Sequence, residues 1–209
     1  MERNPIVINN NQIRAQIKGK RVLVTGAAGS IGSEIVRQVL SFEPAKLVMV
    51  DQAETPLHTI GLEVEAIKGA TIIHSVIVDI RNRTALEKIY KLYRPQMVYH
   101  AAAYKHVPLV ESNPAEGVMN NVFGTLNIAR AAQASGVGHF VLISTDKAVR
   151  PTNVMGATKR MAELVLQALA ASHRLRFTAP DGTHSAEVAN HTLFAMVRFG
   201  NVLDSSGSV

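Results

Sequence analysis

Apolar residues follow two alternating patterns along this chain. Short continuous runs, Val22-Leu23-Val24, Leu47-Val48-Met49-Val50, Met97-Val98-Tyr99 and His139 to Ile143, read as buried strands. Ile72 to Ile80 contains another, and Leu193 to Phe199 reads as a sixth. Between them, apolar positions recur at helical spacing. The predicted helices run from Ile31 to Leu40, closed by Pro44, and from about Pro56 to Ile67, stopped by Gly69. Others run from Asn82 to Tyr93, from Asn113 to Gly136, and from Met155 to about Ser172. The Asn113 helix opens on Asn-Pro-x-Glu, which predicts a capping box between Asn113 and Glu116. Strands that are apolar on both faces and alternate with helices predict an α/β domain: a Rossmann-like, doubly wound parallel sheet with helices on both faces. The expected strand order is 3-2-1-4-5-6. Residues 1–19 are polar, with Asn9, Asn10 and Asn11 together, and read as a lead-in to a domain over 20–209. Residues 173–192 are polar and read as a long loop.

Composition narrows the function classes more than it names one. The chain has 209 residues, 47% hydrophobic and 18% charged, enough for one good core. It has no Cys, which excludes disulfides, thiolate metal sites and cysteine nucleophiles. The eight His form no metal-binding motif, so no metal site is expected. No apolar run is long enough to span a bilayer, and Met1 to Lys20 lacks a signal-peptide core. The net charge of +6 is spread over scattered Lys and Arg, with few aromatics between them, so no nucleic-acid partner is expected.

Two stretches carry candidate chemistry. Gly26-Ala27-Ala28-Gly29-Ser30-Ile31-Gly32 lies between a strand and a helix. Gly26 allows a tight turn, and Gly29 and Gly32 let the backbone of Ser30 and Ile31 approach a pyrophosphate on the helix N-terminus. Asp51 ends the second strand, where a carboxylate accepts both ribose hydroxyls of an adenosine and repels a 2′-phosphate, favouring NAD over NADP. Asp79, with Ile80 after it, fits either an acceptor for an adenine amino group or a cap for the next helix. Ala101 to Ala103 are small, which suits either a dinucleotide lying across the sheet edge or close packing. The second stretch, Ser144 to Lys159, follows the fifth strand, where an open α/β sheet places its chemistry.

With these pieces in place the chain resembles the extended short-chain dehydrogenase/reductases. Met155-x-x-x-Lys159 matches that family's Tyr-x-x-x-Lys apart from the first residue. More narrowly, it resembles the UDP-N-acetylglucosamine 4,6-dehydratases of bacterial polysaccharide and glycan synthesis. The residues behind this are Thr25 to Glu34, His100 to Pro108, Ser144 to Lys159 and Arg198 to Leu203. Met in place of Tyr matches one branch, whose full-length members carry a membrane-embedded region ahead of the dehydratase domain. The resemblance therefore implies a cytoplasmic domain, at the inner membrane in the full-length protein, with a further substrate-binding part after the sixth strand. It also implies a homo-oligomer.

The implied reaction converts a UDP-sugar to its 4-keto-6-deoxy product with NAD as cofactor. By that resemblance Thr145 contacts the sugar 4-hydroxyl, Asp146 is the acid at C6 and Lys147 the base at C5, with the last two roles open to exchange. Lys159 holds the nicotinamide ribose, and Lys105 and Asn201 contact the sugar nucleotide. Met155 cannot exchange a proton, so that duty falls to Thr145 through water, or to Lys147. A sugar-nucleotide 4-epimerase and a non-catalytic NAD-binding fragment are the competing readings.

Overall fold

The computed structural model describes residues 10–176, 183, 187–200 and 202. Its main sheet is built from β1 (Arg21–Thr25), β2 (Lys46–Asp51), β3 (Ile72–Ile77), β4 (Met97–His100), β5 (His139–Thr145) and β8 (Leu193–Phe199). All five pairings are parallel, in the order β3-β2-β1-β4-β5-β8. This is the expected order, the sixth main strand becoming β8 because two short strands precede it. These are β6 (Arg174–Leu175) and β7 (Val188–Ala189), an antiparallel pair within the stretch expected to be a loop.

Alternation along each strand sends side chains to two cores. Val22, Val24, Leu47 and Met49 pack on one face against α2 (Ser30–Ser41) and α3 (Glu54–Ile67). Leu23, Val48, Val98 and Phe140 face the other way, against α4 (Arg83–Tyr93), α7 (Thr125–Ala134) and α8 (Val154–Ala171). Leu23 is wholly buried, and truncating it to Ala would cost about 2–5 kcal/mol. The lead-in contains a helix, α1 (Asn10–Ile17), whose Ile17 is buried in the first core. Ile13 and Ile17, one turn apart, are its apolar contacts with that core, too few for the pattern to reveal a helix.

The helix starts follow local chemistry. Asn82 caps α4 by accepting from the Ala85 N–H, and Asn153 caps α8 by accepting from the Gly156 N–H. The helix expected from Asn113 is interrupted. It comprises α6 (Pro114–Val118), a π-helical turn over Met119–Gly124, and α7. The capping box is absent. Asn113 Nδ2 instead donates back to Leu109 O at 2.9 Å, on the preceding helix α5 (Val107–Ser112), and Glu116 accepts from Arg81. A charged partner holds Glu116 more strongly than a backbone amide would.

Candidate active site

The C-terminal ends of the parallel strands border one groove. Three adjoining cavities, of 250, 510 and 390 Å³, share Ala101, Ala103 and Tyr104 from the segment after β4. The first reaches Asp51 and Ile80. The middle one faces Gly29, Ser30, Ile31 and Gly32. The last is lined by Lys105, Thr145, Lys147, Met155 and Lys159, with Phe199 and Gly200 at its rim. The fold thus brings together most of the residues singled out from the sequence. Asp79 and Asp146 are not among the lining residues, and Asn201 lies outside the described residues.

The glycine turn is fixed by backbone crowding. Gly26 has φ +67°, and a Cβ there would meet Ala102 N at 2.6 Å. A Cβ on Gly32 would lie 1.8 Å from Gly26 O, so only glycine lets α2 start this close to β1. No side chain caps α2 at Gly29, which leaves its N-terminal dipole facing the groove. Asp51 holds the neighbouring backbone: Oδ2 accepts from Ala28 N and Oδ1 from Ala53 N, both at 3.0 Å. Each carboxylate oxygen keeps a second lone pair for a ligand hydroxyl. A turn of glycines packed too closely for a Cβ at Gly26 or Gly32, beside a helix dipole and a carboxylate, fits a dinucleotide.

Asp79 has a partner that neither sequence alternative named. Its carboxylate is paired with Arg81, accepting from Nε and from Nη2 at 2.6 Å, and Arg81 Nη1 continues to Glu116 at 2.7 Å. The Arg81 hydrogen bonds hold Asp79 below the usual carboxylate range. Ile80, between these charged residues, lines the groove, and its Cδ1 sits where a Cβ on Gly124 would lie.

At the other end, Thr145, Asp146 and Lys147 form a bonded turn. Thr145 donates to Asp146 Oδ1 at 3.0 Å, and Lys147 Nζ lies 3.5 Å from the same oxygen. The Thr145 hydroxyl first, then the Lys147 charge, hold the Asp146 carboxyl below its ordinary range. Gly156 lets α8 abut this turn, since a Cβ there would lie 2.3 Å from Lys147 O. Met155 is buried, and Lys159, one turn later, donates from Nζ to Ile143 O at 2.7 Å. Burial pushes Lys159 down to about 8, against an opposing pull from Glu163.

Three side chains that the sequence reading did not assign organise this end. His100 is fully buried; its Nδ1 lies 2.6 Å from Thr25 Oγ1 and its Nε2 lies 2.9 Å from Thr125 Oγ1. Thr125 donates its own proton to Asn121 O, so it must accept from His100 Nε2–H, and Nδ1 accepts from Thr25. Burial pushes His100 down to about 3, which keeps it neutral. Asn121, in the π turn, bonds both the N–H and the C=O of Tyr104 and donates to Thr158 on α8. Glu163 is fully buried and accepts from Ser144 at 2.7 Å, Arg160 at 2.9 Å and Arg198 through two bonds of 2.7 and 2.6 Å. Burial raises its pKa, but the Arg198, Ser144 and Arg160 hydrogen bonds outweigh this and hold it at about 2. Its place four residues after Lys159, on the same helix face, was the available signal.

Comparison with known proteins agrees with this geometry. The polysaccharide biosynthesis protein family matches residues 22–209. The chain is 47% identical to the probable polysaccharide biosynthesis protein EpsC of Bacillus subtilis, over 99% of this chain and 32% of that protein. It is 32% identical to a UDP-N-acetylglucosamine 4,6-dehydratase (inverting) of Campylobacter jejuni, over 91% of this chain and 52% of that one. It is also 31% identical to a UDP-glucose 4-epimerase of Rickettsia bellii, over 91% of this chain and 51% of that one. The X-ray structure of Pen from Bacillus thuringiensis superposes with a TM-score of 0.78 at 34% identity, covering 92% of this chain and 55% of that one. The chain therefore spans about a third of the length of the first relative and about half of the others. With the strand order, the glycine cradle and the strand-end turn that its motifs led us to expect, and a family match from β1 onward, the chain belongs to the polysaccharide biosynthesis protein family.

Proposed function

We propose that this chain is the NAD-dependent dehydratase part of a sugar-nucleotide 4,6-dehydratase that converts UDP-N-acetylglucosamine to a 4-keto-6-deoxy product. The observation that carries the reading is the Thr145-Asp146-Lys147 turn, bonded to itself beside the cavity that Lys159 and Met155 line. An elimination needs a paired base and acid, and the turn supplies an amine and a carboxyl side by side. An epimerase needs no such pair.

A nicotinamide cofactor held in the groove would supply reversible hydride transfer, out of sugar C4 and back into C6. The residues suited to hold it are Gly26, Gly29, Ser30, Ile31 and Gly32 at the pyrophosphate, Asp51 at the ribose, and Ile80, Ala101 and Ala103 along its length. Lys159 would hold the second ribose, its ammonium already aimed by Ile143 O. Thr145 would bond the sugar 4-hydroxyl, and Lys105 and Asn201 would contact the UDP-sugar. With the 4-keto group formed, the C5 proton becomes acidic. Lys147 would remove it as Asp146 protonates the departing C6 hydroxyl, so one water leaves and a C5–C6 double bond forms; when hydride reaches C6, Lys147 would return its proton to C5.

Asp146 must hold a proton to act as that acid, yet Thr145 and Lys147 keep it ionised and its side chain is 59% exposed. A sugar over the turn would reverse both conditions. It desolvates the carboxyl, which raises its pKa, and draws the Thr145 hydroxyl away. Met155 leaves removal of the 4-hydroxyl proton to Thr145 through water, or to Lys147.

The direct test incubates the full-length protein with UDP-N-acetylglucosamine and NAD. A product lighter by one water supports the reading. A C4 epimer of unchanged mass would replace it with the epimerase, the activity carried in the name of the Rickettsia relative.

A further inference from the structure

We propose that Glu163 is the positioning residue of this site: its buried carboxylate clamps three segments that border the Met155–Lys159 cavity and supplies the counter-charge of Lys159. The role assigned to Lys159 rests on the function proposed above; the geometry of the clamp does not.

The geometry is specific. Glu163 lies on α8, one turn after Lys159, with no solvent exposure. Its Oε1 accepts from Ser144, the residue before Thr145 at the end of β5. The same oxygen accepts from Arg198 Nε, and Oε2 from Arg198 Nη2 and Arg160 Nη1. Arg198 is followed by Phe199 and Gly200, which rim the cavity, and a Cβ on Gly200 would lie 3.4 Å from Asp146 Oδ2. One carboxylate thus joins the strand that leads to Thr145–Lys147, the helix that carries Met155 and Lys159, and the strand that leads to Gly200. Two parallel bonds to a planar guanidinium fix direction as well as distance. A merely structural ion pair would not need the strand-end serine or a place one turn from the buried lysine.

The charge around Lys159 is otherwise unhelpful to it. His100 on the β4 side is neutral. Lys147 on the turn, with Lys105 and His106 from the segment after β4, lines the same cavity. Arg160 and Arg198 are cations, and both are spent on Glu163. Asp146 is exposed and occupied by Thr145 and Lys147. Glu163 is therefore the buried negative charge available to a buried ammonium. Removing that charge favours the neutral amine, so the Lys159 titration must move to lower pH.

The test compares wild type with Glu163→Gln and with the double variant Glu163→Gln/Arg198→Lys. The double variant keeps the cation at 198, whose flexible ammonium can turn to solvent, and so stays foldable if the single one does not. The Lys159 midpoint is read by NMR of 13Cε-labelled lysine, assigned with Lys159→Arg, and NAD affinity is read by titration on either side of that midpoint. We expect the midpoint to fall by about one unit, a tenfold change in the protonation equilibrium, in both variants. NAD affinity should weaken most on the alkaline side. A folded double variant with an unchanged midpoint overturns the proposal. If wild type does not bind NAD, the cofactor reading fails, but the lysine titration still decides the role of Glu163.

Discussion

The two ends of the groove are built by different means. Around Gly26–Gly32 and Asp51, position comes from the backbone: a left-handed glycine, two approaches that leave no room for a Cβ, and a carboxylate on two amides. Around Thr145–Lys159, it comes from side chains on several elements, held by the Glu163 ion cluster and the Asn121 carboxamide. The first kind of site is set by backbone contacts, those among Gly26, Gly29 and Gly32 close together in sequence. The second can retune its groups, because their charges depend on one another and on what covers them. A cradle for a reusable cofactor suits the former, and proton transfer suits the latter.

That contrast can be broken at either end. The largest effect is expected from Asp146→Asn and Lys147→Ala, each lowering dehydration by about 10²–10⁴-fold while NAD affinity stays put. Full activity in both, by product mass, would remove the turn from the mechanism. Gly32→Ala should come next, costing at least ~3 kcal/mol in denaturant unfolding and abolishing NAD binding, since its Cβ meets backbone rather than a movable side chain. A native unfolding midpoint would show the cradle to be softer than its distances imply.

His100 gives a smaller, pH-dependent effect at the second end. Its folded pKa of about 3 lies below the unfolded value, so the unfolded chain takes up the proton first. The stability it contributes is full above about pH 6.5 and is lost as pH falls towards 3, about 2 kcal/mol of it by pH 5. Unfolding curves of wild type and His100→Gln across that window measure the difference. Asp51→Asn should have the smallest effect, weakening NAD binding about tenfold, because an amide presents one acceptor where the carboxylate presents two.

Much of the fold was legible because it is local. Six strands, the glycine turn and most helix limits follow from apolar periodicity and from Gly and Pro placement, and each needs only a few neighbours in sequence. What escaped was decided over distance. Helix α1 owes its stability to Ile13 and Ile17 meeting the sheet. The predicted capping box yielded to Arg81, 35 residues from Glu116. The pairing of Asp79 with that same arginine was likewise not visible in the local pattern.

The site divides in the same way. By itself the sequence determined the backbone cradle and placed Thr145, Asp146 and Lys147 together at a strand end, since both stretches are contiguous. Only the tertiary structure decided which buried groups gather behind that turn and beside Lys159. Glu163 meets Ser144 and Arg198, 19 and 35 residues away, only once β5, α8 and β8 pack together. His100 bonds to threonines 75 and 25 residues distant. A buried charge is tolerated only with its partners in place, so the groups that tune this site exist as such only in the folded chain.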